Sequence, residues 1–168
     1  MKLSELKLEA QQGTEGYLRI NAEMQKLCNN GQSSCQFILD HGLRCNPKNL
    51  SFPRFGRLKE CFKNALNYAM MHDAIYCEGY ALGAVIPVLH AWCIDLNGNV
   101  FDPTWKSGQE YIGVPFKTDY VLDFTDRHGV YDSVIEDYRG RWPLIFEQIT
   151  HAKAIHPEIE NIRKRLQP

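Results

Sequence analysis

The 168-residue sequence lacks several features that would assign it to a functional class directly. Its 19 basic and 20 acidic residues give a formal net charge of -1, so no excess of one sign attracts nucleic acid or an anionic membrane. No apolar run approaches the roughly 20 residues of a membrane-spanning helix. Residues 1–16 also lack the apolar stretch of a secretory signal. These absences predict a soluble, cytoplasmic protein that binds neither nucleic acid nor membrane.

The sequence contains six cysteines, but it lacks the spacing that would indicate a metal site. No Cys-x-x-Cys pair occurs, which gives a structural zinc site little support. Disulfides are rare in chains of this size without an export signal, so we expect reduced thiols. We therefore expect no metal and no other cofactor. Nucleophilic chemistry is then the remaining use for one of the cysteines.

Hydrophobic periodicity predicts helices in the first part of the chain. Residues 16–28 have helical spacing, and the serine-initiated segment that ends at Gly42 predicts a second helix. Two prolines and a glycine over 43–57 predict a loop. The apolar stripe within 58–73 then predicts a helix that is buried on one face.

The middle of the chain changes to the composition of β-strands. The segments AIYCEGYALG and PVLHAWCID are rich in β-branched and aromatic residues, and NVFDPTW follows them as the return arm of a hairpin. YIGVPF and TDYVLDF, over 111–124, predict one or two further strands. From about residue 130, VYDSVIEDYRG, WPLIFEQITHAKAI and PEIENIRKRL return to helical patterns.

This order of helices, strands and helices predicts a single α+β domain over 1–168 with an antiparallel sheet. It divides into a helical N-terminal part (1–57), a helix followed by the sheet (58–125) and C-terminal helices (126–168).

The hairpin HAWCIDLNGNVFDPTW raises a question of register, because a slip of one residue moves every side chain to the other face. A two-residue Asn-Gly turn would put His90 and Asp102 on opposite faces of the sheet. A three-residue Leu-Asn-Gly loop would put them on the same face. Gly98 suits the left-handed position of the longer loop, and Asp95 suits its first position. We therefore predict the three-residue loop, with Asp95 engaged in the turn.

A histidine and an aspartate on one face form a catalytic set if a cysteine joins them. A helix amino terminus activates a thiol, and two cysteines are predicted near such a terminus, Cys61 and Cys35. Cys35 has the better capping sequence, whereas Cys61 leads directly into the helix before the strands. Cys77 and Cys93 lie within predicted strands, where small buried hydrophobic residues are the simpler interpretation.

A cysteine-headed helix followed by EGYALG, HAWCID, a short turn and FDPTW resembles the transglutaminase-like branch of the papain-like superfamily, over residues 58–105. YIGVPF after DPTW is similar to bacterial and phage proteins with this core. The resemblance implies a papain-like core, in which the cysteine-bearing helix packs on the antiparallel sheet between N- and C-terminal helices. It identifies Cys61, His90 and Asp102 as the catalytic triad. KECFKNA departs from the usual neighbours of the nucleophile, which implies a different cleft edge.

The resemblance implies a cysteine-dependent hydrolase or acyl transferase that acts on an amide of a protein or peptide through an acyl-enzyme. The small size of the chain favours hydrolysis over cross-linking. Trp92, Tyr80 and Trp105 are expected to contact the substrate. The alternative is a catalytically inactive fold that serves as a protein-binding module. An acyltransferase with a thioester cofactor is disfavoured, because the sequence has no Gly-rich loop or dense basic cluster near the predicted core.

Two further polar residues have open roles in the sequence. Glu78 alternates onto the same face of its predicted strand as Tyr80, and either a cleft position or a hydrogen-bonded pairing fits it. Asn64 lies one helical turn after Cys61, where it would support the site or belong to a solvated helix surface.

Overall fold

The structure, a computed structural model, describes residue 22 and residues 33–47, 56–83, 86–106 and 108–167. The helix predicted over 16–28 lies outside these residues except for position 22. The described elements, in chain order, are α1 (Ser33–His41), β1 (Leu43–Cys45), α2 (Cys61–His72), β2 (Ile75–Leu82), β3 (Pro87–Ile94), β4 (Val100–Phe101), β5 (Glu110–Phe116), α3 (Thr118–His128), α4 (Pro143–Phe146), α5 (Gln148–Ala154) and α6 (Ile159–Leu166).

The five strands form one sheet in the order β1-β5-β2-β3-β4, and every pair of neighbours in it is antiparallel. This confirms the predicted α+β fold with an antiparallel sheet. Alternate residues of β2 point to opposite faces, so Tyr76 and Leu82 lie in one apolar cluster and Cys77 and Ala81 in another. Helices α1 to α5 contribute to the first cluster, and α6 contributes to the second.

The β3–β4 hairpin has the predicted three-residue loop. Asp95 donates its N–H to the carbonyl of Asn99 over 3.1 Å, and Gly98 adopts the left-handed conformation with φ 75°. The Asp95 carboxylate accepts hydrogen bonds from the backbone N–H groups of Asn97 and Asn99, which confirms its role in the turn. Strand β4 ends after two residues, and Pro103 has no N–H with which to extend the ladder.

Helix α2 packs on the sheet through a stripe of small and aliphatic side chains. Ala65 and Ala69 are buried in the same cluster as Ala91 and Cys93 of β3. The Cys93 thiol donates to the carbonyl of Ala65 over 3.1 Å, which fixes the middle of the helix against the strand. As a result of this packing, the first residue of α2 lies beside strand β3.

One strand prediction and part of one loop prediction are wrong. TDYVLDF forms helix α3 instead of a strand, because Val121 and Phe124, three residues apart, are its buried residues, and Asp119 in its first turn suits the helix dipole. Residues 43–45 form strand β1 instead of a loop. Leu43 and Cys45 are buried and their strand pairs with β5, a long-range contact that a three-residue segment does not reveal by its own pattern.

The helix predicted over 130–140 is also wrong, because the segment consists of turns. Its backbone N–H groups at Val134 and Ile135 donate to a side chain of β2 instead of to carbonyls four residues earlier. The next predicted helix is divided at Glu147 into α4 and α5, and Pro143 is the first residue of α4.

Candidate active site

Cys61 is the first residue of α2 and is 9% exposed. The residue before it, Glu60, caps the helix without a side-chain hydrogen bond, so no carboxylate oxygen occupies the helix terminus in front of the thiol. The N–H groups of the first turn give this end of the helix partial positive charge, and reactive cysteines in proteins are commonly found at such positions. The location is the one in which a cysteine nucleophile is most easily activated.

His90 lies on β3 and is 2% exposed. Its Nε2 atom lies 2.8 Å from Oδ2 of Asp102, and the Cys61 thiol is close enough to the ring to raise the pKa of His90. Because Asp102 occupies Nε2, the ring nitrogen that remains for the sulfur is Nδ1. The structure thus brings Cys61, His90 and Asp102 together, although they come from a helix, a strand and the turn after a second strand.

Asp102 receives four hydrogen bonds. Oδ1 accepts from the backbone N–H groups of Thr104 and Trp105 at 2.8 and 2.9 Å, which closes the Asp-Pro-Thr-Trp turn on its own carboxylate. Oδ2 accepts from the Tyr111 hydroxyl at 2.8 Å as well as from His90. The carboxylate is therefore held in one orientation from three directions.

The protonation of His90 follows from these contacts. Burial lowers the pKa of His90, but the interactions with Asp102 and Cys61 outweigh it and raise this pKa from 6.5 to about 9. At neutral pH the ring is then an imidazolium that faces the sulfur and is bound by the carboxylate behind it. Such an arrangement stabilises a thiolate and supplies an acid for a leaving group.

The three residues expected to contact the substrate lie in different surroundings. Trp105 is half-buried, and its ring stacks on His90 with the centroids 4.1 Å apart. Trp92 lies on the same face as His90 but is fully buried in the apolar cluster below it. Tyr80 pairs with Leu89 on the face opposite His90, and it accepts a hydrogen bond from Cys35 over 3.3 Å. Only Trp105 therefore borders the His90 ring with part of its surface exposed.

The competing cysteine, Cys35, is fully buried in α1 beside Tyr80, on the other side of the sheet from His90. None of the five described cysteines forms a disulfide. Cys77 and Cys93 are fully buried small side chains, as their strand positions predict. Of the described cysteines, the geometry thus favours Cys61 as the one whose thiol interacts with His90.

Glu78 belongs to a buried cluster of hydrogen bonds on the opposite face of the sheet. Its carboxylate accepts from the hydroxyls of Tyr76 and Ser133 at 2.7 and 2.8 Å, and from the backbone N–H groups of Val134 and Ile135. Burial raises the pKa of Glu78 from 4.5 to about 7, although these hydrogen bonds act to lower it. Of its two possible roles, the structure places Glu78 in the hydrogen-bonded pairing.

One residue at the site was not identified by sequence reasoning, and a second had two open roles. Tyr111 reaches Asp102 because β5 pairs with β2 and not with the β3–β4 hairpin that precedes β5 in the chain. No local sequence pattern reveals this pairing. Asn64 bonds Thr104 and Arg57 instead of solvent. Its spacing of one helical turn from Cys61 was the available signal.

Substitution of Tyr111 by phenylalanine is expected to raise the pKa of His90 further. The Asp102 carboxylate would lose one of its donors, so its charge would be less satisfied and would bind the imidazolium more strongly. Loss of one buried hydrogen bond is also expected to lower the free energy of unfolding by about 1–2 kcal/mol. Titration of the His90 ring by NMR measures the first effect and urea unfolding the second. Tyr120→Phe is the control, and an unchanged or lower His90 pKa in Tyr111→Phe would contradict this account.

Within the described ranges, no three histidine, cysteine or carboxylate side chains are grouped so that they could hold a metal ion. Among the described helices, none combines the length and apolar character needed to cross a membrane. Comparison of the chain with family models, curated proteins and solved structures finds no match.

Proposed function

We propose that the protein is a cysteine-dependent hydrolase or acyl transferase with a papain-like, transglutaminase-like core, which acts on an amide of a protein or peptide. The observation that carries the proposal is the contact between the Cys61 thiol at a helix terminus and a His90 ring that Asp102 holds at 2.8 Å. Each group has the partner that nucleophilic catalysis requires: a base for the thiol and an acceptor that fixes the base.

The reaction proceeds through an acyl-enzyme. In the resting site the Cys61 proton is already on His90 Nδ1, and the thiolate attacks the carbonyl carbon while the backbone N–H of Cys61 donates to the developing oxyanion. The imidazolium then gives its proton to the leaving amine, and a thioester remains on Cys61. In hydrolysis, a water molecule loses its proton to His90, attacks the thioester and releases the acid. Asp102 keeps the ring in one orientation throughout. Hydrolysis is favoured over transfer to an amine on the grounds of chain size.

The alternative from another class is a non-catalytic protein-binding module with the same fold. A module without activity has no need of a His90–Asp102 contact, so the 2.8 Å distance between Nε2 and Oδ2 favours the enzyme. The four hydrogen bonds to Asp102 point the same way, because they orient a group that a binding surface would leave in solvent.

The test is alkylation of all six cysteines by iodoacetamide across pH 5 to 9, read residue by residue by mass spectrometry. Cys61 is more exposed than the other described cysteines, so the informative quantity is the pH dependence of its rate. An unassisted thiol gains about tenfold in rate per pH unit below its pKa, whereas a thiol paired with an imidazolium changes much less. We expect the weak dependence for Cys61. A Cys61 rate no higher than that of Cys77 at pH 7 would refute the proposal, and a faster Cys35 would move the nucleophile there.

A further inference from the structure

We propose that Asn64 is a positioning residue that sets the distance between the Cys61 sulfur and the His90–Asp102 pair. The inference rests on the proposed function, because it concerns how that same site is kept in register. It assigns to Asn64, and to its partner Thr104, a role beyond helix stability.

The distance between the Cys61 sulfur and the His90 ring depends on how two separately packed elements are placed relative to each other. Cys61 is carried by α2, whereas His90 and Asp102 are carried by the β3–β4 hairpin and the turn after it. The interface between helix and sheet consists largely of small apolar side chains, such as Ala65 and Ala69. Apolar burial is not directional, and the hydrogen bond from Cys93 to the Ala65 carbonyl holds the middle of the helix and not its first turn, so this interface tolerates small shifts of the turn that carries Cys61. Catalysis does not tolerate them, because a misplacement of about 1 Å can cost roughly a hundredfold in rate.

Asn64 makes a directional contact in the first turn of α2, which is the turn that carries Cys61. Its Nδ2 atom donates to Oγ1 of Thr104 at 3.0 Å and to the carbonyl of Arg57 at 2.9 Å. A side-chain amide nitrogen has two hydrogens, so both are used. Thr104 is 3% exposed, and a hydrogen bond there is shielded from competition with water.

These contacts close a ring around the reactive atoms. From Cys61 the ring runs to the neighbouring His90, to Asp102 over 2.8 Å, and to the Thr104 N–H over 2.8 Å. From Thr104 it returns to Asn64 and, along one turn of α2, to Cys61. The thiol and the imidazole are therefore linked by two routes, one direct and one through Asn64. A shift of the helix would break both.

The segment before α2 encloses the Asn64 amide from the other side. Gly56 donates its N–H to the carbonyl of Pro103 over 2.8 Å, so this segment is bound to the same turn as Thr104. A Cβ atom at Gly56 would overlap the Asn64 amide group. The amide thus lies between the turn and the segment in front of the helix.

The experiment compares four single variants with the wild type, using p-nitrophenyl acetate as the acylating probe and iodoacetamide as the alkylating one. Asn64→Ala and Thr104→Val delete one partner each, Thr104→Ser retains the hydroxyl, and Asn67→Ala removes an amide one turn further along α2. We expect Asn64→Ala and Thr104→Val to slow acylation of Cys61 by about 10- to 100-fold. Thr104→Ser and Asn67→Ala are expected to stay within about threefold of the wild type.

The pH profile separates positioning from mere stabilisation. If Asn64 holds the thiol against the imidazolium, its loss lowers alkylation of Cys61 at pH 6 more than at pH 9, so the ratio of the two rates falls. A residue that only stabilises the helix would lower the thermal midpoint and leave this ratio unchanged. Asn64→Ala is the variant at greater risk of misfolding. If it misfolds, the comparison of Thr104→Val with Thr104→Ser tests whether the contact positions Cys61.

The double variant Asn64→Ala/Thr104→Val is expected to be no slower than the slower single variant, since both remove one contact. A reactive wild type with Asn64→Ala and Thr104→Val both within twofold of it would overturn the inference alone. A wild-type Cys61 that alkylates no faster than Cys77 would overturn the proposed function, and this inference with it.

Discussion

Alanine at position 90 is expected to reduce the rate of Cys61 acylation by p-nitrophenyl acetate by about 10²- to 10⁴-fold, the usual contribution of a positioned acid–base group. His90 is the only side chain that the described contacts place between the thiol and the Asp102 carboxylate. Without it the sulfur has no base to take its proton and no acid to release the leaving group. Cys61→Ala is expected to abolish acylation altogether.

The control for this prediction is His72→Ala, which removes an exposed histidine at the other end of the same helix. With a peptide p-nitroanilide, whose amine must be protonated to leave, the wild-type rate should also fall as the pH rises through about 9, because the imidazolium form of His90 is present below its raised pKa and lost above it. His90→Ala should lack this alkaline decrease. Equal rates for His90→Ala and His72→Ala would exclude His90 from the reaction.

Glu78→Ala is expected to lower the free energy of unfolding by about 3–5 kcal/mol, the largest stability effect we predict. The carboxylate is the shared acceptor for the hydroxyls of Tyr76 and Ser133 and for two backbone N–H groups. Alanine would leave these donors buried and unsatisfied. Urea unfolding measures the difference, and a loss below 1 kcal/mol would show that the donors find other partners. Glu136→Ala is a suitable control, since its side chain takes no part in this cluster.

Glu78 also predicts a pH dependence of stability. Its pKa is about 7 in the folded state and 4.5 ordinarily, so the folded state binds the proton more tightly. The corresponding stabilisation is present below pH 4.5 and is lost as the pH rises through about 7, by about 3–4 kcal/mol at 1.4 kcal/mol per pKa unit. Subtracting the unfolding curve of Glu78→Gln from that of the wild type, at pH 5 and pH 8, isolates this contribution. A difference that does not change between the two pH values would contradict the raised pKa.

The sequence was informative wherever a local rule determined the structure. The hairpin register followed from Gly98 and Asp95, whose conformational preferences belong to one turn type. The α2 helix followed from its apolar period and carries Cys61 at its first position. These two local predictions place His90 and Asp102 on one face and Cys61 at a helix terminus, whereas the proximity of Cys61 to the pair was implied only by the family resemblance.

The sequence failed where long-range contacts override local preference. TDYVLDF has the composition of a strand, but burial of Val121 and Phe124 on one side makes it a helix. Residues 130–140 have helical spacing, but the Glu78 carboxylate captures their N–H groups. Tyr111 gains its role only when distant segments meet, and no residue near it in sequence indicates that role. The spacing of Asn64 from Cys61 indicated a possible role but could not distinguish support of the site from a solvated helix surface.

The division of the site between a hairpin and a separate helix also affects when the site forms during folding. His90 and Asp102 are 12 residues apart on one hairpin, so their contact forms with little loss of chain entropy. Cys61 reaches them only after β2 has joined the sheet and α2 has docked on it. We expect reactivity of Cys61 to appear last during refolding, as a signal of the completed native state.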